Sequence, residues 1–129
     1  MKKYRIIIAG GRDFSDYVRF KDHVDNCIKG VLHECAEEKN IIILSGKANG
    51  ADSLGERYAT ERGYKVVGYP ADWKKKGRAA GPIRNKQMAE NADALIAFWD
   101  GRSHGTKNMI ETAQRMQLHV FPICYYRNC

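Results

Sequence analysis

The chain has no apolar stretch near the roughly 20 residues that a bilayer-spanning helix needs. No leader-like pattern follows Met1, and Met1-Lys2-Lys3-Tyr4 runs straight into a strand-like segment. A cytoplasmic protein with no membrane association is therefore the expectation. Proline is scarce, at three residues in 129, and hydrophobic residues make up 43%, which excludes a disordered chain. The four cysteines, Cys27, Cys35, Cys124 and Cys129, contain no CxxC pair and are too sparse for a disulfide framework. In a reducing compartment they read as packed thiols. His23 and Cys27 lie one helical turn apart, but no second close pair completes a four-ligand set, so no metal is expected. GxGxxG and GxxxxGK[ST] are both missing, which excludes the dinucleotide fingerprint and the P-loop. Linkers, repeats and low-complexity tracts are absent as well, leaving residues 1–129 as a single domain.

What the chain does have is positive charge, a formal net +7 at pH 7. Such a surplus attracts anionic partners, whether nucleotides, phosphates or nucleic acid, without choosing among them.

The patterning is strongly periodic. Tyr4 to Ala9, Ile41 to Leu44, Tyr64 to Tyr69, Ala94 to Trp99 and His119 to Cys124 are short apolar runs bounded by glycine, proline or polar residues, as buried strands are. Between them run helical stripes. Phe20, Val24, Ile28, Val31, Leu32 and Cys35 mark a long helix after a Ser15 cap. Ala51, Leu54 and Tyr58 mark a second helix, stopped by Gly63. A third runs from about Pro82 to Asn91, and Met109, Ile110, Ala113 and Met116 stripe a fourth. Ala71 to Gly77 reads as a basic loop, and Pro122 suggests an edge position for the last strand. Strand–helix alternation with right-handed crossovers gives an α/β, Rossmann-like three-layer sandwich around a mostly parallel five-stranded sheet.

In such a sheet, ligands sit beyond the carboxyl ends of the strands. The unusual segments of this sequence all fall there: GGRDF (Gly10, Gly11, Arg12, Asp13, Phe14), SGKANGAD (from Ser45, Gly46 and Lys47 through Gly50 to Asp52), GRAAGPIRN (with Arg78, Arg84 and Asn85) and DGRSHGT (Asp100, Ser103, His104, Gly105, Thr106). The opposite connections are plain by comparison. Gly10-Gly11 reads either as a tight turn or as backbone approaching an anion. In the second segment Asn49, or a Ser53–Glu56 capping box, can start a helix, and the same geometry can bind phosphate. Asp52 would repel a phosphate there, but it can accept hydrogen bonds from ribose hydroxyls. In the fourth, Ser103 or Thr106 can cap a helix start of the same kind. Arginine matches phosphate with a bidentate fork. Lys74-Lys75-Lys76 beside Trp73 can grip a nucleic-acid strand or stand solvated. His104 is expected to touch ligand rather than to serve in a proton-transfer pair.

With these segments in hand, the chain resembles the SLOG superfamily (the SMF/DprA and LOG group) and, within it, the small YspA-like proteins. IIIAGGRDF, LSGKANGADSLGERYA, GRAAGPIRNKQM and ADALIAFWDGRSHGT carry the likeness, in order and over nearly the whole chain. The resemblance implies a Rossmann-like protein that binds or processes nucleotide-derived ligands. In the LOG branch, phosphoribohydrolases use an Arg-Lys helix motif and a PGGxGTxxE turn. Arg84 takes the arginine place and Gly105-Thr106 match the GT, but the catalytic glutamate place falls on Met109, with Glu111 two residues late.

The reading that follows is a sensor or sequestering module for a nucleotide, cyclic nucleotide or ADP-ribose-like ligand, with no cofactor. The first alternative is N-glycosidic hydrolysis of a nucleotide, with Arg84, Asp52 and Glu111 as catalytic candidates and Asp13 or Asp100 as further stand-ins for the glutamate. Single-stranded nucleic-acid binding is the second. Related proteins commonly self-associate, so a homo-oligomer is expected.

Overall fold

The computed structural model describes residues 3–34 and 37–125. Its elements follow the chain as β1 (Tyr4–Gly10), α1 (Tyr17–Glu34), β2 (Ile41–Ser45), α2 (Ala51–Arg62), β3 (Lys65–Gly68), α3 (Trp73–Lys76), α4 (Ala80–Glu90), β4 (Ala94–Trp99), α5 (His104–Arg115) and β5 (His119–Cys124). The five strands form one sheet in the order β3-β2-β1-β4-β5, and every pairing is parallel.

Alternation along each strand sorts the core into two layers. Ile6, Ile8, Ile43 and Ile96 face α1 and α2, packing on Phe20, Val24, Ile28 and Tyr58. Ile7, Leu44, Leu95 and Ala97 face α4 and α5, packing on Met88, Met109, Ile110 and Ala113. Strands this apolar on both faces belong in a parallel sheet covered on two sides. Pro122 pairs opposite Ala97 on the edge strand β5, where its missing N–H interrupts no second ladder.

The order in which strands are added changes side between β1 and β4. The chain leaves β1 for β2 on one side, while β4 leads to β5 on the other, which leaves a crevice beyond the carboxyl ends of these two central strands.

Three local expectations change. The segment after β3 is not all loop: Asp72 caps the single turn α3 by accepting the Lys75 N–H, and a 3-10 turn at Gly77–Ala79 leads into α4. Helix α1 is capped by Asp16 rather than Ser15, the Asp16 carboxylate accepting the Arg19 N–H at 3.1 Å. Cys124 is disulfide-bonded rather than a packed thiol, Cys27 is a free, half-buried thiol, and Cys35 and Cys129 lie outside the described residues. Gly63 ends α2 as expected, in a left-handed conformation that returns its N–H to the last turn. No helix among the described residues is long and apolar enough to cross a membrane.

Candidate functional site

The loop after β1 is fixed from both ends. The Gly11 N–H donates to the Phe98 carbonyl at 3.0 Å, tying the loop to the end of β4. Any side chain at Gly10 would collide with that same carbonyl. Phe14 is drawn into the core, stacking on Phe98 at 5.2 Å, so it anchors the loop and does not line the crevice. Arg12 and Asp13 remain at the surface. The Arg12 guanidinium stands over the Trp73 ring, 5.7 Å from its centroid, and the Asp13 carboxylate accepts the Tyr125 hydroxyl at 2.9 Å.

The turn after β2 is built differently from either capping scheme in the sequence. Gly50 occupies the cap position of α2 at φ +75°, and no side chain bonds there. Ser53 donates instead to the Ala48 carbonyl, and Glu56 accepts from Ser45 and Lys47. The Ala51 N–H at the helix start donates to the Gly11 carbonyl at 3.1 Å, so an internal acceptor already holds it where a phosphate would sit. Asp52 is 4% exposed and accepts the Ala48 N–H at 3.3 Å. Burial pushes its carboxyl up to about 6, against the lowering effects of the Ala48 N–H and the Arg84 guanidinium.

Helix α4 supplies the joint between these loops. Arg84 donates from Nη1 to the Gly46 carbonyl and from Nε to Asn85 Oδ1. Burial draws the guanidinium below its ordinary value, with Asp52 opposing that shift. Asn85, 4% exposed, donates to the Gly105 carbonyl at 3.3 Å and to Asn108 Oδ1 at 3.0 Å, tying α4 to the first turn of α5.

That first turn is shaped by Asp100, whose Oδ1 accepts the Arg102 and Ser103 N–H groups at 2.8 and 2.7 Å. These bonds hold its carboxyl below the ordinary value. The Trp99 indole N–H adds a bond to the Ser103 carbonyl at 3.0 Å. Ser103 is the cap residue by position, but its hydroxyl lies by Thr106 Oγ1 at 3.4 Å and not on a helix amide. Leading N–H groups of a helix have no intrahelical acceptor, and His104, Gly105 and Thr106 bring that turn to the cleft wall.

The four segments enclose one cleft of about 570 Å³ at the β1–β4 crevice. Of the residues singled out in the sequence, Gly10, Gly11, Arg12, Asp13, Asp52, Arg78, Arg84, Asn85, Asp100, Ser103, His104, Gly105 and Thr106 line it. Gly46 and Lys47 line a smaller recess of about 280 Å³ beside it. Ser45 is buried beneath the turn, and Gly50 packs its backbone on Gly11. Glu111 is exposed on α5 and does not line the cleft, whereas Met109 does, at 1% exposure. Sequence reasoning missed the contribution of Ala48, Gly81, Met88 and Asn108. Asn108 carried a signal, since it lies one helical turn beyond His104 and so shares its face.

The charges in the cleft are unevenly committed. Each carboxylate has internal work: Asp52 on Ala48, Asp100 on its own turn, and Asp13 on Tyr125. Arg12 and Arg78 make no ion pair among the described residues. No group of three or more potential metal ligands gathers among those residues. His23 meets Phe98 edge-on at 6.2 Å, and burial pushes the Cys27 thiol up to about 11.

The profile of the YspA, cpYpsA-related SLOG family matches residues 4–75. Gene 61 protein of Mycobacterium phage D29 is 31% identical over 122 residues, covering 90% of this chain and 93% of that protein. Among solved structures, DNA processing protein A from Streptococcus pneumoniae superposes with a TM-score of 0.69 at 22% identity, over 98% of this chain. The chain spans about half of that protein, 52% of its length. DNA processing protein A from Helicobacter pylori, which binds single-stranded DNA, gives 0.66 at 18% identity over 98% of this chain and 68% of its own. The structural-genomics target TM1055 gives 0.61 at 20%, over 93% and 72%. At these identities the structural likeness establishes the fold.

Proposed function

The chain belongs to the YspA, cpYpsA-related SLOG family, and on that premise we propose that its cleft binds a nucleotide-derived ligand as a sensor or sequestering module. The observation that carries this reading is the uncommitted charge. Arg12 and Arg78 face a cleft whose carboxylates are engaged internally, and the first turn of α5 adds the positive end of a helix dipole. An anionic group there meets two arginines and a helix start. A volume of about 570 Å³ falls within the range of small-molecule sites.

Asp52 is a carboxyl rather than a donor, and it suits the hydroxyls of a ribose better than a phosphate. Asn85 holds the α5 turn in place behind the ligand. The expected residues Gly10, Gly11, Ser103, His104, Gly105 and Thr106 supply backbone and short side chains that let a ligand approach closely.

Titration calorimetry with nucleoside mono- and diphosphates, cyclic nucleotides and ADP-ribose tests the proposal. Saturable binding of at least one of them, weakened in Arg12→Gln, supports it. A folded protein that binds none of them overturns it.

N-glycosidic hydrolysis is a second reading, favoured by Asp52, a carboxyl in the cleft that burial pushes up to about 6. Against it stands Met109, which lines the cleft at the position where the LOG resemblance implies a glutamate, and whose thioether moves no proton. Release of free base from nucleoside monophosphates, lost in Asp52→Asn, would favour turnover over simple binding. Self-association is proposed on the family resemblance, and sedimentation velocity checks it.

A further inference from the structure

The cleft does not end at Trp73. The smaller recess shares Arg12, Ala48, Trp73 and Arg84 with it and adds Lys47 and Asn49, so the two spaces meet at the Arg12–Trp73 pair. Trp73 is 49% exposed, one of the few large apolar side chains left at the surface. It rests on the open position of Gly81, where a Cβ would come within 3.3 Å of the indole. A planar guanidinium stands over its ring at 5.7 Å.

That spacing matters. A flat aromatic ring held between two planar groups needs about 3.5 Å on each side, roughly 7 Å in all. With its Cζ 5.7 Å from the ring centroid, Arg12 must move outward by at least about 1.3 Å to admit a base, and it has no ion pair among the described residues to resist that movement. On the recess side of the pair no carboxylate among the described residues lines the wall. Lys47 and Arg84 do, with the Lys47 ammonium on Glu56 and Arg84 beside Asp52.

We propose that the ligand's base slots between the Trp73 indole and the Arg12 guanidinium. On this arrangement the cleft holds one phosphate, the adjoining recess holds a second, and the ligand class is a dinucleotide or two successive nucleotides of a strand. This rests on the nucleotide-binding reading above. Indole and guanidinium planes both stack on bases, and loss of such a platform weakens binding on the order of tenfold or more.

The test compares AMP, the 5′-phosphorylated diadenylate pApA and a dA12 strand, by calorimetry and by quenching of tryptophan fluorescence. The expected result is at least tenfold tighter binding of pApA than of AMP. Trp73→Ala and Arg12→Lys should each weaken pApA about tenfold, while Trp73→Phe stays within about threefold. Quenching should disappear in Trp73→Phe, although Trp99 remains. Equal affinity for AMP and pApA, or unchanged pApA binding in Trp73→Ala, overturns the inference and leaves the nucleotide site standing. Failure of all three probes to bind the folded protein overturns the inference, and binding of any ligand in the wider calorimetry set above then leaves the nucleotide site standing. A pApA affinity equal to that of dA12 supports the inference with a free dinucleotide as the source. Much tighter dA12 binding, still lost in Trp73→Ala, supports it with a strand as the source.

Discussion

Arg84 donates its Nη1 hydrogen to the Gly46 carbonyl, a bond spanning 38 residues that latches the turn after β2 onto α4. The latch works because Gly46 has no side chain. A Cβ there would press on Arg84 Nη1 and stand 2.8 Å from Asp52 Oδ2.

Gly46→Ala should therefore displace Arg84 and loosen the turn. A loss of about 1–3 kcal/mol in chemical denaturation is expected, with faster proteolysis between β2 and α2. A variant as stable as wild type would show that the latch carries no weight.

Gly50 is a sharper case. It sits at φ +75°, and a Cβ there would run into the Gly11 carbonyl and the Arg12 backbone, which have no flexible end to move aside. Gly50→Ala should cost about 3 kcal/mol or more, beyond the effect of Gly46→Ala. Equal thermal midpoints for the two variants would contradict this.

Both glycines show where the sequence was legible and where it was not. Strand and helix periodicity placed the five strands and the four longer helices, because burial on two faces of a parallel sheet leaves a one-dimensional record. The cleft segments were legible as well, since small and polar residues interrupted apolar runs at one end of every strand. Partners distant along the chain were not. Nothing local announces that the Gly11 carbonyl occupies the start of α2 or that Arg84 reaches the Gly46 carbonyl. Trp73 looked like part of a basic loop because its one-turn helix is too short to leave a periodic stripe.

Asp52 ties stability to pH. Its folded carboxyl titrates at about 6, above the ordinary 3.8, so the folded state holds the proton to higher pH than the unfolded chain does. Stability then falls as pH rises from about 4 through about 6, by up to about 3 kcal/mol. In Asp52→Asn that fall should be missing, and the difference in melting temperature between variant and wild type should grow in the variant's favour from pH 4.5 to pH 7. A difference constant across that range would assign the pH response elsewhere.

Arg12 and Arg78 should act as charges. Replacing both with glutamine is expected to weaken binding of a nucleoside diphosphate by roughly tenfold or more at low salt. The penalty should shrink as salt rises, because screening removes the same attraction. Unchanged affinity at low salt would place the anion away from these residues.

Amide chemical-shift mapping with a saturating nucleotide reads the location of the ligand residue by residue. The largest shifts should fall on Gly10 to Asp13 and on Ser103 to Thr106, at the carboxyl ends of β1 and β4. Shifts confined to the opposite end of the sheet, around Gly63 to Lys65, would contradict it.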